Sequence, residues 1–204
     1  MDINKYFDKI FYINLAKDED RNTNILNNFK KFGITNYERF EGINVNFTPT
    51  YSEYRNYNKK DEKYLHNSLG CRESHLAIIH LAKQRKYGKI LILEDDVDFF
   101  LHPNELLRIN SDILNDWDML YLSGNIEHFY RNQIVCAHAY AVRDTIYDDI
   151  INMAIPSGME IDNFYAKILQ HMSYNGNQSG KYNIRILIPF DTIRQNESFQ
   201  SNIK

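Results

Sequence analysis

Short apolar runs alternate along the chain with longer stretches in which apolar residues recur every third or fourth position. "KIFYINL" (9–15) is a run of β-branched and aromatic residues, the pattern of a buried strand. In the next stretch, "DEDRNTNILNNFKKFGI", Ile25, Leu26, Phe29 and Phe32 share one helical face, Asp18 stands at the N-cap position and Gly33 where a left-handed residue ends a helix. "YERFEGI" predicts a second strand, and the strand–helix–strand order predicts a parallel pair joined by a crossover helix. Residues 44–67 break the pattern: they are polar and tyrosine-rich, either a mobile surface loop or a binding segment that orders with ligand. "SLGCRESHLAIIHLAKQRKYG" predicts a helix capped by Ser74, with Leu76, Ile79 and Leu81 inward and Gly88 at its end. Strands at 90–94, "WDMLYLS" (117–123), "VCAHAYAV" (135–142) and "NIRILIPF" (183–190), with helices in "DTIYDDIINMAI" and "EIDNFYAKILQHM", complete an α/β sandwich. No internal repeat or linker divides it, so one domain over 1–204 is expected.

Composition narrows the function classes. With 204 residues and 43% hydrophobic content the chain suits one domain with a proper core. A net charge of −3 and a pI near 6.2 exclude binding driven by nucleic-acid phosphates. The two cysteines, Cys71 and Cys136, have no CxxC spacing and read as reduced. The first residues lack a signal-peptide pattern, and no apolar run approaches the ~20 residues that cross a bilayer. A soluble protein is expected, in the cytoplasm of a bacterium or of a large virus's host, with peripheral membrane contact left open.

The chemistry is concentrated in "KILILEDDVDFF" (89–100), where Ile90–Leu93 run into Glu94, Asp95 and Asp96, followed by Asp98. Ligands of open α/β sheets bind at strand ends. Strand alternation places Glu94 and Asp96 on one side and Asp95 on the other. Crowded carboxylates repel unless a cation compensates, and hard oxygen ligands suit Mg²⁺ or Mn²⁺ shared with a diphosphate. The bland reading is a solvated acidic turn. A signalling alternative also exists, since "KILILEDD" mimics the first strand of a Mg²⁺-binding receiver domain. That alternative requires the strand to open the domain and a phospho-acceptor Asp on a later strand, and "WDMLYLS" and "VCAHAYAV" end in no acid.

Several blocks, taken in order, resemble glycosyltransferase family 25, the group of lipooligosaccharide and collagen galactosyltransferases. They are "FYINLAKDEDR", "RFEGIN", "GCRESH", "LILEDDVDF", "WDMLYLSG", "HAYAV", "EIDNFYA" and "QNESFQSNI". The last block departs from the family's Ser-Asp-Ile ending with Ser201-Asn202-Ile203. The resemblance implies a GT-A fold, a Rossmann-like α/β/α sandwich with a mainly parallel central sheet. It implies transfer of a hexose, galactose or glucose, from a UDP-sugar to a glycan, lipid-linked glycan or protein acceptor, with inversion and with Mn²⁺ or Mg²⁺. A non-catalytic binder of sugar nucleotide or glycan on the same fold is the further alternative.

The resemblance also implies roles. Asp96 would hold the ion, with Asp98 second through a DxD reading, and Asp95 would face the ribose or donor sugar. Glu94 is either part of the cluster or a strand-end residue bonded to backbone. Asn14 and Arg21 follow the first strand, where the nucleotide binds; Arg21 would otherwise be an exposed helix residue paired with Asp18 or Glu19. Ser74 and His75 would line the donor pocket or merely cap and brace a helix start, with Tyr140, Gln195, Ser198 and Ser201 as weaker carry-overs. Inversion needs a general base, assigned to Asp162 with Glu160 as the nearest substitute; a plain helix cap is the competing role. Apart from the resemblance, the tyrosines of 44–67 either stack on an acceptor sugar through their aromatic faces or belong to a disordered excursion.

Overall fold

The computed structural model describes residues 1–45, 62–123, 125–127, 133–170, 181–187, 193–196 and 198–199. A short α1 (Ile3–Tyr6) leads into β1 (Lys9–Asn14), α2 (Glu19–Phe32) and β2 (Tyr37–Glu41). β1 and β2 pair in parallel, so the predicted crossover unit is present. Gly33 ends α2 at φ 64°, its N–H reaching back to the carbonyls of Lys30 and Phe29. Asp18 occupies the N-cap position without a side-chain capping bond.

The chain continues through α3 (Glu62–Gln84), β3 (Lys89–Glu94), β4 (Val97–Phe99), α4 (Pro103–Ile109), β5 (Met119–Tyr121), β6 (Asn125–Glu127), β7 (Gln133–Val135) and β8 (Ala139–Arg143). It ends with α5 (Tyr147–Ser157), α6 (Ile161–Phe164) running into a wider turn over Tyr165–Gln170, β9 (Ile184–Ile186) and β10 (Ile193–Gln195). Six strands form the central sheet in the order β2-β1-β3-β8-β5-β9. β8 runs antiparallel to β3 and β5, while the other strands share one direction. This is the mainly parallel α/β sheet that the sequence predicts.

Alternation along the strands builds two core layers. Phe11, Ile90, Ile92, Tyr140 and Val142 face α3, α5 and α6. Ile10, Tyr12, Leu91, Leu93, Ala139 and Ala141 face the opposite layer, with Ile25 and Phe29 of α2 and Leu106 and Leu107 of α4. Ile90–Leu93 are buried on both faces, as a central parallel strand requires. β2 is an edge strand and alternates exposed Tyr37, Arg39 and Glu41 with half-buried residues.

The structure corrects some boundaries. α3 begins at Glu62, so Ser74 lies in its interior, where its hydroxyl donates to the carbonyl of Gly70 one turn back. α3 stops at Gln84 and the chain turns through Lys86 at φ 59°; Gly88 does not end the helix but donates its N–H to Asp8. "VCAHAYAV" is not one strand, because Cys136 at φ 76° breaks it between β7 and β8. No helix among the described residues is long and apolar enough to cross a membrane.

Candidate active site

The carboxyl end of β3 meets α2, α3 and α6 around a cavity of about 520 Å³. The strand stops at Glu94, whose N–H bonds the carbonyl of His138, and residues 95–96 form a turn. The expected strand alternation therefore fails. Asp95 and Asp96 both bend toward Arg21, whose Nε lies 3.0 Å from Asp95 Oδ1 and whose Nη2 lies 2.5 Å from Asp96 Oδ2. Asn14 donates to Asp95 Oδ2 at 2.6 Å and to the carbonyl of Asp18. Arg21 is thus buried, and neither Asp18 nor Glu19 is its acidic partner. Asp96 Oδ1 is buried without a hydrogen bond.

Glu94 goes the other way. Its carboxylate lies 3.9 Å from Cys71 Sγ and 3.5 Å from His75 Nε2, and Gln195 of β10 hydrogen-bonds it. His75 Nδ1 is 2.8 Å from the Tyr140 hydroxyl, which is 3.0 Å from that of Tyr165. Tyr140 is therefore a buried brace behind His75. Burial pushes the His75 pKa down to about 4, so the ring is neutral and its approach to Glu94 is not an ion pair.

Asp162 lies in the first turn of α6, and Glu160, not Asp162, holds the N-cap position. Asp162 Oδ1 instead accepts the N–H of Ala137 at 2.9 Å, so the cap reading does not describe it. Glu160 accepts the hydroxyl of Tyr64 at 2.9 Å and the amide of Asn163 at 3.0 Å.

Burial raises all four acids above the ordinary carboxylate range. Glu94 reaches about 7 with Asp95 adding to the effect, and Asp96 reaches about 7 with Glu94 adding. Asp95 is held to about 6 because Arg21 and Asn14 oppose its desolvation. Asp162 reaches about 7 through burial and the charge of Glu94, with His75 opposing. Four desolvated carboxyls around one cavity are a set that a cation or a hydroxyl donor would relieve.

Of the residues predicted from sequence, Arg21, Ser74, His75, Asp95, Asp96, Asp162 and Gln195 line the cavity, while Asn14 and Tyr140 support it from behind. Asp98 does not join them. It lies on β4, where Asn24 and Asn28 of α2 bond one oxygen and Asn196 the other, so it ties α2 to the C-terminal strand. Ser198 is exposed and bonds only Asn196 among the described residues. Ser201 and residues 46–61 lie outside the described residues. Sequence reasoning missed Cys71 as a lining residue and Gly70 as a close-approach site: a Cβ at Gly70 would stand 2.5 Å from the carbonyl oxygen of Ile43. The Ile43 N–H bonds Ser74 Oγ at 2.8 Å, so "GCRESH" docks the chain after β2 onto α3. The one-turn spacing of Gly70 and Ser74 was the available signal.

Among solved structures, the chain aligns with a glycosyltransferase involved in the glycosylation of the major capsid of PBCV-1 (TM-score 0.45, 15% identity, 86% of this chain and 79% of that one). It also aligns with A197 from STIV (TM-score 0.39, 10% identity, 79% of this chain and 78% of that one). At these values neither says anything about substrate. No curated protein matches the chain. The sequence profile of glycosyltransferase family 25 (LPS biosynthesis protein) matches residues 7–174, and the chain belongs to that family.

Proposed function

We propose that the protein transfers a hexose, galactose or glucose, from a UDP-sugar to a glycan, lipid-linked glycan or protein acceptor, with inversion and with the help of Mn²⁺ or Mg²⁺. The reading treats residues 1–204 as one GT-A domain. The observation that carries it is that the acidic end of β3 and Asp162 of α6 open onto one cavity. Family membership supports glycosyl transfer. The UDP-sugar donor and the inversion are what the resemblance to the family implies, and the ion is inferred from the carboxylates that the cavity presents.

Asp96 fits a hard divalent ion, since its Oδ1 is a carboxylate oxygen without a hydrogen bond in a protein-walled site, whereas both oxygens of Asp95 are engaged by Arg21 and Asn14. A bound ion would offset the charge that grows on the departing diphosphate. Asp98 is set aside as a ligand because three asparagines already use its oxygens. Arg21, which bonds Asp95 and Asp96, and Lys17, which also lines the cavity, are cations available to a diphosphate oxygen.

Asp162 accepts the proton of the acceptor hydroxyl. Its Oδ1 is held by the Ala137 N–H, which orients the carboxyl, and a pKa near 7 suits a base that must take a proton in neutral solution. Proton removal makes the hydroxyl oxygen the nucleophile, the new glycosidic bond forms on the face opposite UDP, and the bonding pair of the old C–O bond leaves with the diphosphate. Neutral His75, locked by Tyr140, presents Nε2 toward the cavity and helps shape the sugar pocket without adding charge.

The test is turnover. The protein is incubated with Mn²⁺, a panel of UDP-hexoses and simple glycoside acceptors, and UDP release and the anomeric configuration of the product are read. Release with one UDP-hexose and an inverted product supports the reading. Tight UDP–Mn²⁺ binding with no turnover on any donor would leave a sugar-nucleotide-binding member of the fold in its place.

A further inference from the structure

Cys71 and His75 stand one turn apart on the same face of α3, and Glu94 ends the neighbouring strand. Cys71 Sγ, His75 Nε2 and a Glu94 carboxylate oxygen all lie within 4.8 Å of one another. We propose that these three residues form a second cation site, one that takes a zinc-class ion rather than Mg²⁺ or Mn²⁺ and whose occupancy inhibits the enzyme. Binding of the ion stands on geometry alone; inhibition rests on the transferase reading above.

The second observation that points to a ligand is His75 itself. The ring is fully buried and its Nε2 makes no hydrogen bond. Tyr140 holds the other nitrogen and is in turn bonded to Tyr165, so the ring cannot turn to satisfy Nε2 elsewhere. In the tautomer whose Nδ1–H donates to Tyr140, Nε2 is a bare lone pair 3.5 Å from the Glu94 carboxylate, and a cation binding there selects this tautomer over the one that turns Nε2–H toward Glu94. Two acceptors facing each other leave room for a cation between them. A hydrogen bond to the far nitrogen is the support that metal-bound imidazoles have.

Donor type and spacing select the ion. A sulfur, an imidazole nitrogen and a carboxylate oxygen suit zinc and its neighbours, whereas the Asp95–Asp96 pair offers only oxygen. Metal–sulfur bonds of about 2.3 Å and metal–nitrogen or metal–oxygen bonds of about 2.0–2.1 Å, set tetrahedrally, separate donors by about 3.4–3.6 Å. Glu94 Oε1 is 3.9 Å from Cys71 Sγ and 3.5 Å from His75 Nε2, so small side-chain shifts close the site. The fourth position opens on the cavity that all three residues line.

When the sulfur–metal bond forms, the thiol proton leaves to solvent. Thiolate and Glu94 carboxylate then match the two positive charges of the ion. Burial first, and then the charges of Glu94, Asp162, Glu160 and Asp96, push the Cys71 thiol well above its ordinary range, so it keeps its proton until a cation displaces it. An ion here would tie up Glu94 and crowd the space before Asp162.

The test titrates the whole protein with Co²⁺ in the presence of excess Mg²⁺, then with Zn²⁺. One equivalent of Co²⁺ should give a near-ultraviolet thiolate-to-cobalt band that Zn²⁺ abolishes, and Zn²⁺ should protect one cysteine from alkylation. C71S should remove the band and weaken Zn²⁺ binding by about 100-fold or more, E94Q should weaken it, and C136S should change neither. Zn²⁺ should inhibit wild-type turnover, and the Zn²⁺ concentration needed for half-inhibition should rise in C71S, each protein being compared with its own Zn²⁺-free rate. Absence of the band in wild type overturns the site, whatever the variants do. So does a band that C136S removes and C71S keeps, or Zn²⁺ binding that D96N abolishes and C71S preserves. Absent turnover without Zn²⁺, with the cobalt band present, would overturn the transferase reading and leave the cation site standing.

Discussion

Arg21 sets the state of the acidic strand end, because it is the cation on both Asp95 and Asp96 and is itself buried. Removing one member of a buried ion pair leaves the others uncompensated, at about 3–5 kcal/mol. Arg21→Ala should therefore unfold at markedly lower denaturant at pH 8. The loss should shrink near pH 5, where Asp95 and Asp96, held up to about 6 and about 7, take protons and no longer need the guanidinium. An equal loss at both pH values would show that the carboxylates are charged throughout. Asp162 predicts the opposite pattern. Asp162→Asn keeps an oxygen for the Ala137 N–H and removes a desolvated charge, so it should melt no earlier than wild type while turnover falls by about 10²–10⁴-fold and UDP–Mn²⁺ affinity in calorimetry stays put. A variant with normal turnover would move the base to Glu160. Residue types were legible at both places: an Arg after the first strand and an acid at a helix start. Their partners were not, because Arg21 meets Asp96 across 75 residues of sequence and no local pattern carries that distance.

At the scale of elements, β1, α2 and β2 match their sequence pattern because each is a clean run closed by its own signal, Gly33 above all. α3 did not, because its start precedes Ser74 by three turns and Ser74 turned out to clamp the chain after β2. That clamp is testable. Gly70→Ala puts a methyl 2.5 Å from the Ile43 carbonyl oxygen, and relieving it should cost about 1–3 kcal/mol and weaken ligand binding in the cavity beside it. An unchanged melt would mean that Ile43 moves aside freely. The end of β3 also sets a pH dependence. Glu94 and Asp96, raised to about 7, and Asp95, raised to about 6, hold protons in the folded state that the unfolded chain has released. Their contribution is full below about pH 4 and is lost as pH rises through 6 and 7. His75, lowered to about 4, acts in reverse, contributing above about 6.5 and losing as pH falls toward 4. The two offset each other between about 4 and 6.5, so the clear signal lies higher: the metal-free melting temperature should fall from pH 6.5 to 8. Saturating Mn²⁺ or Asp96→Asn should flatten that slope. A rising melting temperature over the same interval would contradict the burial of these acids.

The whole molecule brings two sides to one cavity. β3 and α2 supply Asp95, Asp96 and Arg21; α3 and α6 supply Tyr64, Glu160 and Asp162. On the proposed reading the nucleotide belongs with Arg21 and the acceptor with Tyr64 and Glu160. The Tyr64 hydroxyl bonds Glu160 Oε1 at 2.9 Å, and the Asn163 amide bonds Oε2, so one carboxylate is spread between α3 and α6 beside the proposed base. A sugar hydroxyl arriving there can replace the tyrosine hydroxyl as donor to Glu160, and the ring of Tyr64 offers a face for the sugar. Tyr64→Phe keeps the ring and removes the hydroxyl. Glu160→Gln keeps the shape and removes the charge that accepts both bonds. Glu160→Gln should raise the acceptor KM about tenfold or more, through the loss of a hydrogen bond to a charged group at about 1.5–3 kcal/mol, Tyr64→Phe should lower it because the competing donor to Glu160 is gone, and both should leave UDP–Mn²⁺ affinity unchanged. Arg21→Lys should do the reverse, weakening UDP–Mn²⁺ while sparing the acceptor KM, since a lysine cannot hold two carboxylates and a phosphate in one plane. Steady-state kinetics with donor and acceptor varied separately, beside calorimetry with UDP, distinguish the two sides. If Tyr64→Phe weakens UDP binding and leaves the acceptor KM alone, the nucleotide lies against α3 and the polarity of the cavity is the reverse of the one drawn from the strand end.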